Sequence, residues 1–166
     1  MPQSKSQSHC GRLPDHKEIL RTDAKFDYAE DHILTIARFF FQSFACPQSH
    51  AWLKASDIAQ TAFGDELGPV IAARLVDVLR SVRGARRSVF HFNSPVCEGC
   101  AHIVSEHERR LMGALQAVRR GNAGREQMEL MMLCEGNNIT QSVGAMTRLS
   151  LMLPMVQLQA EVPADV

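Results

Sequence analysis

The sequence lacks a long apolar run, an excess of charge of either sign and the usual enzyme motifs. No window approaches the roughly 18 consecutive apolar residues of a membrane-spanning helix, and residues 1–18 have no apolar run behind their positive charge, so no secretory signal is expected. The 18 Lys and Arg residues balance the 18 Asp and Glu residues, which excludes a general electrostatic attraction to nucleic acid or membrane. Catalytic serine elbows, phosphate loops and dinucleotide fingerprints are also missing. We therefore expect a cytoplasmic protein that is not an enzyme.

Apolar periodicity divides the first half of the chain into an arm and three helices. Residues 1–22 are polar and without a period, which predicts a disordered arm. The first helix is predicted to end at Cys46, because the proline that follows disfavours helix in the residue before it. The second helix is predicted from about residue 52 to residue 63 with Gly64 as its stop, and the third from about Pro69. The apolar stripes of the first and third helices are Ile33, Ile36, Ala37, Phe40, Phe41 and Phe44, and Ile71, Leu75, Val78, Leu79 and Val82.

The second half of the chain predicts a short strand and a helical hairpin. The β-branched and aromatic residues at 88–92 predict a strand of one small hairpin. A helix over about residues 97–120 and a Met-rich helical region to about residue 152 follow, and a break near Gly136 would divide the second of these. The sequence thus predicts a mainly helical protein whose last segments are the CxxC helix with the Met-rich helix (94–153) and a tail (154–166).

The stretch SDIAQTAFGDELGPVIAARLVDVLRSVRGARRSVFHF places two helices, a basic turn and a short strand behind the first helix. In this element order, roughly residues 28–93 resemble a winged helix-turn-helix regulator, and we predict a winged-helix-like unit over 23–93. The resemblance implies that SDIAQTAFG forms the positioning helix, ELGPVIAARLVDVLRSVRG the helix offered to the major groove, and RGARR the wing. It also implies transcriptional control through binding to double-stranded DNA.

An excess of positive charge lies where that unit would meet DNA. Five arginines and one acid, Asp77, lie between residues 74 and 87. Arginines at a helix end and on a loop tip contact phosphates, and such contacts make binding fall with salt. The alternative is a solvated helix end whose arginines complement the helix dipole. The candidate DNA contacts are Arg80, Arg83, Arg86 and Arg87.

Two thiols three residues apart, Cys97 and Cys100, are the strongest chemical signal in the sequence. In a reducing compartment, clustered cysteines indicate metal or redox chemistry more often than disulfides. Residues i and i+3 share one side of a helical turn, and the free amides at a helix start stabilise the thiolates that bind metal. The sequence therefore predicts a metal centre at this pair, either an iron–sulfur cluster or zinc.

Coordination by this pair needs two further ligands. Cys46 meets no geometric obstacle, and His50, four residues later, gives a Cys-x3-His pair with zinc-like spacing. Cys134 would complete a four-thiolate set, but in a straight helical hairpin it lies roughly 16 Å from Cys100. Cys10 falls in the predicted arm and is set aside. The predicted ligands are Cys97, Cys100, Cys46 and Cys134, with His50 as an alternative.

Other functions remain open at this point. The order strand, turn, CxxC and helix resembles part of a thioredoxin-like thiol oxidoreductase, but that fold needs further strands where residues 125–152 predict helix. The same two thiols also suit a redox switch or two buried cysteines. Met128 and Met131 lie on a pliable face suited to a partner helix, which makes a protein-interaction or assembly factor the alternative function. The favoured function is a DNA-binding regulator that senses redox state, oxygen or iron and forms a homodimer through its C-terminal helices.

Overall fold

The structure, a computed structural model, describes residues 10–155. Within this range the chain is mainly helical, as the sequence predicts, and its sheet has two short strands. None of these helices is long and apolar enough to cross a membrane. The first nine residues of the predicted arm and most of the predicted tail lie outside the described residues. The elements are β1 (Ile19–Leu20), α1 (Tyr28–Ala45), a 3-10 turn (Pro47–Ser49), α2 (Ala51–Ala85), α3 (Glu98–Ala101), β2 (Ile103–Val104), α4 (Glu106–Arg119), α5 (Ala123–Leu133) and α6 (Thr140–Ser150).

Helix α1 has the predicted apolar stripe and the predicted end. The Asp27 carboxylate accepts a hydrogen bond from the Glu30 amide (2.8 Å), and the Glu30 carboxylate accepts one from the Asp27 amide (3.1 Å). A reciprocal cap of this kind stabilises a helix start by about 1 kcal/mol. Cys46 ends the helix immediately before Pro47. The stripe is buried except for Phe44, which is half-buried.

Helix α2 is continuous in outline but is divided at Gly64. Gly64 has φ +85°, a left-handed conformation that residues with a Cβ rarely adopt. The predicted stop is therefore present, and the chain resumes helix directly after it rather than near Pro69. Helix α2 packs against both α1 and α6, and its second segment shares the apolar core with them. It buries the five apolar residues of its predicted stripe.

The prediction of a strand over residues 88–92 is wrong. The two-stranded sheet instead pairs β1 with β2 in antiparallel register. Phe90 and Phe92 stack on Phe41 of α1, and their ring centroids lie 4.2 and 5.5 Å, respectively, from the Phe41 centroid. The aromatic pattern of this segment therefore reflects packing against a helix, and it does not form the wing hairpin expected from the sequence.

The single helix predicted over residues 97–120 is interrupted. α3 is one helical turn that contains Cys100, β2 follows it, and α4 begins after Ser105. The Ser105 hydroxyl accepts a hydrogen bond from the Glu108 amide (3.2 Å), and this N-cap starts a new helix. The two thiols consequently lie on a short turn rather than at the start of a long helix.

The C-terminal hairpin is present, and so is the break predicted near Gly136 within its Met-rich region. Arg110 of α4 pairs with Glu129 of α5 (3.0 Å), as expected for neighbouring antiparallel helices. α5 ends at Leu133, and α6 begins only at Thr140. One apolar core includes residues from α1, α2, α4, α5 and α6, so the predicted winged-helix-like unit and the hairpin share it.

Candidate metal centre

Three cysteine thiols meet beside the α3 turn. The Sγ atoms of Cys10, Cys97 and Cys100 all lie within 4.8 Å of one another, and those of Cys10 and Cys100 are 3.7 Å apart. All three residues are half-buried. A tetrahedral zinc ion with Zn–S bonds of about 2.3 Å holds its sulfur ligands about 3.8 Å apart. The three thiols are therefore close enough together to hold one thiophilic metal ion.

Cys10 reaches the site because its backbone packs directly on the CxxC turn. A Cβ added at Gly99 would lie 1.9 Å from the Cys10 carbonyl oxygen, so only glycine allows this approach. The pairing of β1 with β2 and a hydrogen bond from the Arg21 amide to the His102 carbonyl (2.8 Å) hold the chain that follows Cys10. The site thus joins two regions 90 residues apart in the sequence. The polar composition of residues 10–22 gave no sign of this contact.

A buried ion pair fixes the chain on the C-terminal side of the CxxC turn. Arg38 of α1 and Glu108 of α4 are 1% and 0% exposed, and the Arg38 guanidinium donates to both Glu108 carboxylate oxygens (2.7 and 3.0 Å). It also donates to the carbonyl oxygens of Ala101 (2.8 Å) and Ile103 (2.5 Å). Glu108 in turn accepts a hydrogen bond from the Asn93 amide (3.1 Å). Arg38 therefore positions the residues next to Cys100.

Neither partner of this ion pair was predicted from the sequence. Glu108 is fully buried, although charged residues of a helix usually face solvent. Two signals were available: Arg38 interrupts an apolar helical run, and Ser105 with Glu108 three residues later is a capping-box pattern. A charged residue within an apolar stripe indicates a buried partner, because an unpaired charge there is costly.

The two CxxC thiols differ in acidity. Their mutual hydrogen bond lowers the pKa of Cys97 and raises the pKa of Cys100 to about 11. Arg12 lies near the site, held by Asn93 (2.6 Å) and by Glu18 (2.6 Å), and the Glu18 hydrogen bond raises the pKa of Arg12. A guanidinium beside thiolates offsets their negative charge. Because metal binds thiolate, metal binding at neutral pH would release the Cys100 proton.

The other predicted ligands lie outside this cluster. Cys46 is exposed at the end of α1, and its thiol donates to Gln48 Oε1 (3.7 Å). His50 is exposed and caps the start of α2. Cys134 is buried in the apolar core, and burial raises its pKa. Among residues 10–155, only Cys10, Cys97 and Cys100 form a group with metal-binding geometry.

The predicted wing arginine Arg86 is bound inside the protein. Its guanidinium is 3% exposed and donates to the Leu133 carbonyl, to Ser88 Oγ (2.9 Å) and toward His107 Nε2 (3.2 Å). Burial and this positive charge lower the pKa of His107. Arg86 joins the end of α2 to the end of α5, so its guanidinium does not face solvent as a phosphate contact must.

The other three predicted DNA contacts are exposed. Arg80 and Arg87 line a cleft between α2 and the start of α6. Arg83 lies instead over the Phe44 ring, 5.3 Å from its centroid. The four arginines therefore do not form one surface.

Glu135 closes the loop that follows α2 and gives the protein a specific pH dependence. Its carboxylate accepts hydrogen bonds from the Ser88 hydroxyl, the Arg87 amide (2.8 Å) and the Ser88 amide (3.2 Å). These bonds lower the pKa of Glu135 from 4.5 to about 2. Because the folded-state pKa is depressed, the stabilisation is complete above pH 4.5 and is lost as the pH falls toward 2.

We predict that Glu135→Gln is less stable than the wild type at neutral pH and that this difference disappears as the solution is acidified. Urea unfolding of both proteins at neutral pH, at pH 4.5 and below it measures the difference directly. A difference in unfolding free energy that is constant with pH would contradict the prediction.

Helix α5 presents its methionines to solvent. Met128, Met131 and Met132 are 52%, 42% and 60% exposed, whereas Met146 of α6 is buried in the core. The homodimer and partner-helix predictions rest on this face, and they remain predictions.

No protein-family model, curated protein sequence or solved structure matches the chain.

Proposed function

We propose that the protein is a metal-responsive regulator that binds one thiophilic ion, zinc, through Cys10, Cys97 and Cys100. The observation that carries the proposal is the convergence of these three Sγ atoms within 4.8 Å. Sulfurs bound to different irons of a cluster lie farther apart than two sulfurs on one ion. The closeness of all three thiols, each within 4.8 Å of the other two, therefore favours a single zinc ion over the iron–sulfur alternative.

The proposed regulatory step is the attachment of the N-terminal segment to the α3 turn. Cys10 comes from the chain before β1, whereas Cys97 and Cys100 come from the turn after the α2 helix. A metal ion shared between them ties the two regions together, since binding energy at such a site is also ordering energy. Structural zinc sites have four protein ligands, so the three thiols found among residues 10–155 leave one position for a further ligand, for solvent or for an effector. This arrangement suits a site that responds to metal or to thiol oxidation.

Double-stranded DNA is the proposed partner. The order of α1 and the two segments of α2, together with the exposed Arg80 and Arg87, supports this proposal. After β2 the described chain forms only helices, whereas a thioredoxin-like oxidoreductase needs further strands there, so we propose regulation rather than catalysis.

The test is the metal content of the full chain purified without oxygen. We predict one zinc ion per chain, no visible absorption, and loss of the metal in the Cys97→Ser, Cys100→Ser double variant. Elemental analysis beside an absorption spectrum measures all three properties. The Cys46→Ser variant is the control, because that thiol lies outside the cluster.

Each alternative result identifies a different error. A brown sample that contains iron would show that the metal centre is an iron–sulfur cluster rather than a zinc ion. If the protein remains metal-free after incubation with zinc, the metal-centre proposal is wrong, and the CxxC pair is only a pair of thiols. Equal metal content in the double variant and the wild type would place the metal elsewhere in the chain.

A further inference from the structure

An open cleft separates the C-terminal half of α2 from the start of α6. Its volume is about 780 Å³, and its lining includes Arg80, Arg87, Asn138 and Gln141. A neighbouring depression of about 610 Å³ shares Arg80 and Gln141 and adds two further arginines, so the two form one continuous surface. The basic residues along it are Arg74, Arg80, Arg86, Arg87 and Arg148, and of these only Arg86 has a buried side chain, at 3% exposure.

The charges in this cleft are not balanced by the protein. Among residues 10–155, the guanidinium groups of Arg80, Arg87 and Arg148 make no ion pair or hydrogen bond with a side chain or carbonyl. Arg74 pairs with Asp77 (3.5 Å), the one carboxylate among the described residues that line the cleft. Like charges gathered in a concave surface raise the local positive potential and attract anions.

The start of α6 adds hydrogen-bond donors to the same surface. The N-cap residue of this helix, Ile139, has no side chain that can accept a hydrogen bond from the helix amides. The Thr140 amide donates to Asn138 Oδ1 (2.9 Å), and the first amides of the helix carry the positive end of its dipole. Thr140 and Gln141, at this end, line the cleft. Arginines and the amides of a helix start are groups that bind phosphate oxygens.

We infer that this cleft holds the phosphodiester backbone of a DNA duplex. A bilayer surface needs apolar side chains beside the basic ones, and none of the exposed large apolar residues of the described chain lines the cleft. A recessed row of arginines suits a chain of phosphates instead. The inference rests on the proposed DNA binding but not on the metal centre. Of the DNA contacts predicted from the sequence, the inference keeps Arg80 and Arg87 and drops Arg83 and Arg86. It adds Arg148, and it adds Arg74 at the edge of the cleft.

The experiment compares the full chain with a cleft variant, Arg80→Gln, Arg87→Gln, Arg148→Gln. Fluorescence anisotropy with a labelled DNA duplex is measured between about 50 and 200 mM salt. Each lost phosphate contact lowers the slope of log K against log salt by about 0.9, so the slope should fall by about 2 to 3. The affinity should fall roughly 10- to 100-fold, since hydrogen bonds to charged groups are lost. Circular dichroism and zinc content should stay unchanged.

A charge-matched variant, Lys54→Gln, Arg83→Gln, Arg125→Gln, is the control. These residues are exposed and lie away from the cleft lining, so the slope should change by less than about 1. Equal losses in the two triple variants would overturn the cleft assignment while leaving DNA binding intact. Absence of duplex binding by the wild type, or binding only to phosphatidylglycerol vesicles, would overturn DNA as the partner. Neither result bears on zinc content, which is measured separately.

Discussion

Replacing Arg38 by alanine is expected to lower the free energy of unfolding by about 3 to 5 kcal/mol, because Glu108 would remain buried without its counter-charge. Both side chains are essentially unexposed, and the guanidinium makes two hydrogen bonds to the carboxylate. The same change removes the donors that satisfy the carbonyls of Ala101 and Ile103. A typical domain has only about 5 to 15 kcal/mol of stability, so this loss is large.

The measurement is urea unfolding followed by far-UV circular dichroism, with hydrogen exchange of the α3 turn as a local readout. Amides next to Cys100 should exchange faster in Arg38→Ala than in the wild type, because the turn loses its anchor. Should Arg38→Ala fail to fold, Glu108→Gln is a milder variant that keeps a hydrogen-bonding partner.

The double variant Arg38→Met, Glu108→Leu tests whether the two residues act as a pair. Removing both charges relieves the desolvation cost, so the double variant should be less destabilised than the sum of the single variants Arg38→Met and Glu108→Leu. A strictly additive result would contradict the role assigned to the pair. Phe44→Leu, at the end of the same helix, is a half-buried control that should cost less.

Helices α1 and α2 follow from the sequence because their causes are local. Each buries a stripe of apolar residues at helical spacing, and their interruptions are caused by adjacent residues such as Gly64 and Pro47. The break between α5 and α6 was predicted from glycine and asparagine for the same reason. Such signals act within a few residues, and a single sequence displays them directly.

The sheet and the candidate metal centre could not be predicted from the sequence, because they depend on contacts between distant segments. Two-residue strands are too short to show an alternating pattern, and β1 pairs with β2, which lies far away in the sequence. Cys10 lies in a polar segment, and nothing near it indicates that it touches Gly99. The excess of arginines was visible, but the burial of Arg86 depends on a carbonyl at the end of α5.

Cys10→Ser is expected to weaken zinc binding by more than about 100-fold. Removing only a hydrogen-bonding partner of a metal ligand costs about 10- to 100-fold, and Cys10 supplies a ligand itself. Competition with a chromophoric chelator measures the affinity. Cys46→Ser should bind like the wild type, since Cys46 is exposed and outside the cluster. If Cys10→Ser binds zinc with wild-type affinity, Cys10 is not a ligand, and only the CxxC pair contributes to the site.

Gly99→Ala tests the same contact without removing a thiol. The added Cβ would lie 1.9 Å from the Cys10 carbonyl oxygen, so the segment that carries Cys10 must move away from the turn. Zinc affinity should therefore fall toward that of Cys10→Ser, and combining the two changes should cost little more than either alone. The conformation of residue 99 itself accommodates alanine, because its φ is not in the left-handed region. An unchanged affinity in Gly99→Ala would show that Cys10 coordinates from another direction, and additive losses would show that Gly99 acts on the metal independently of Cys10.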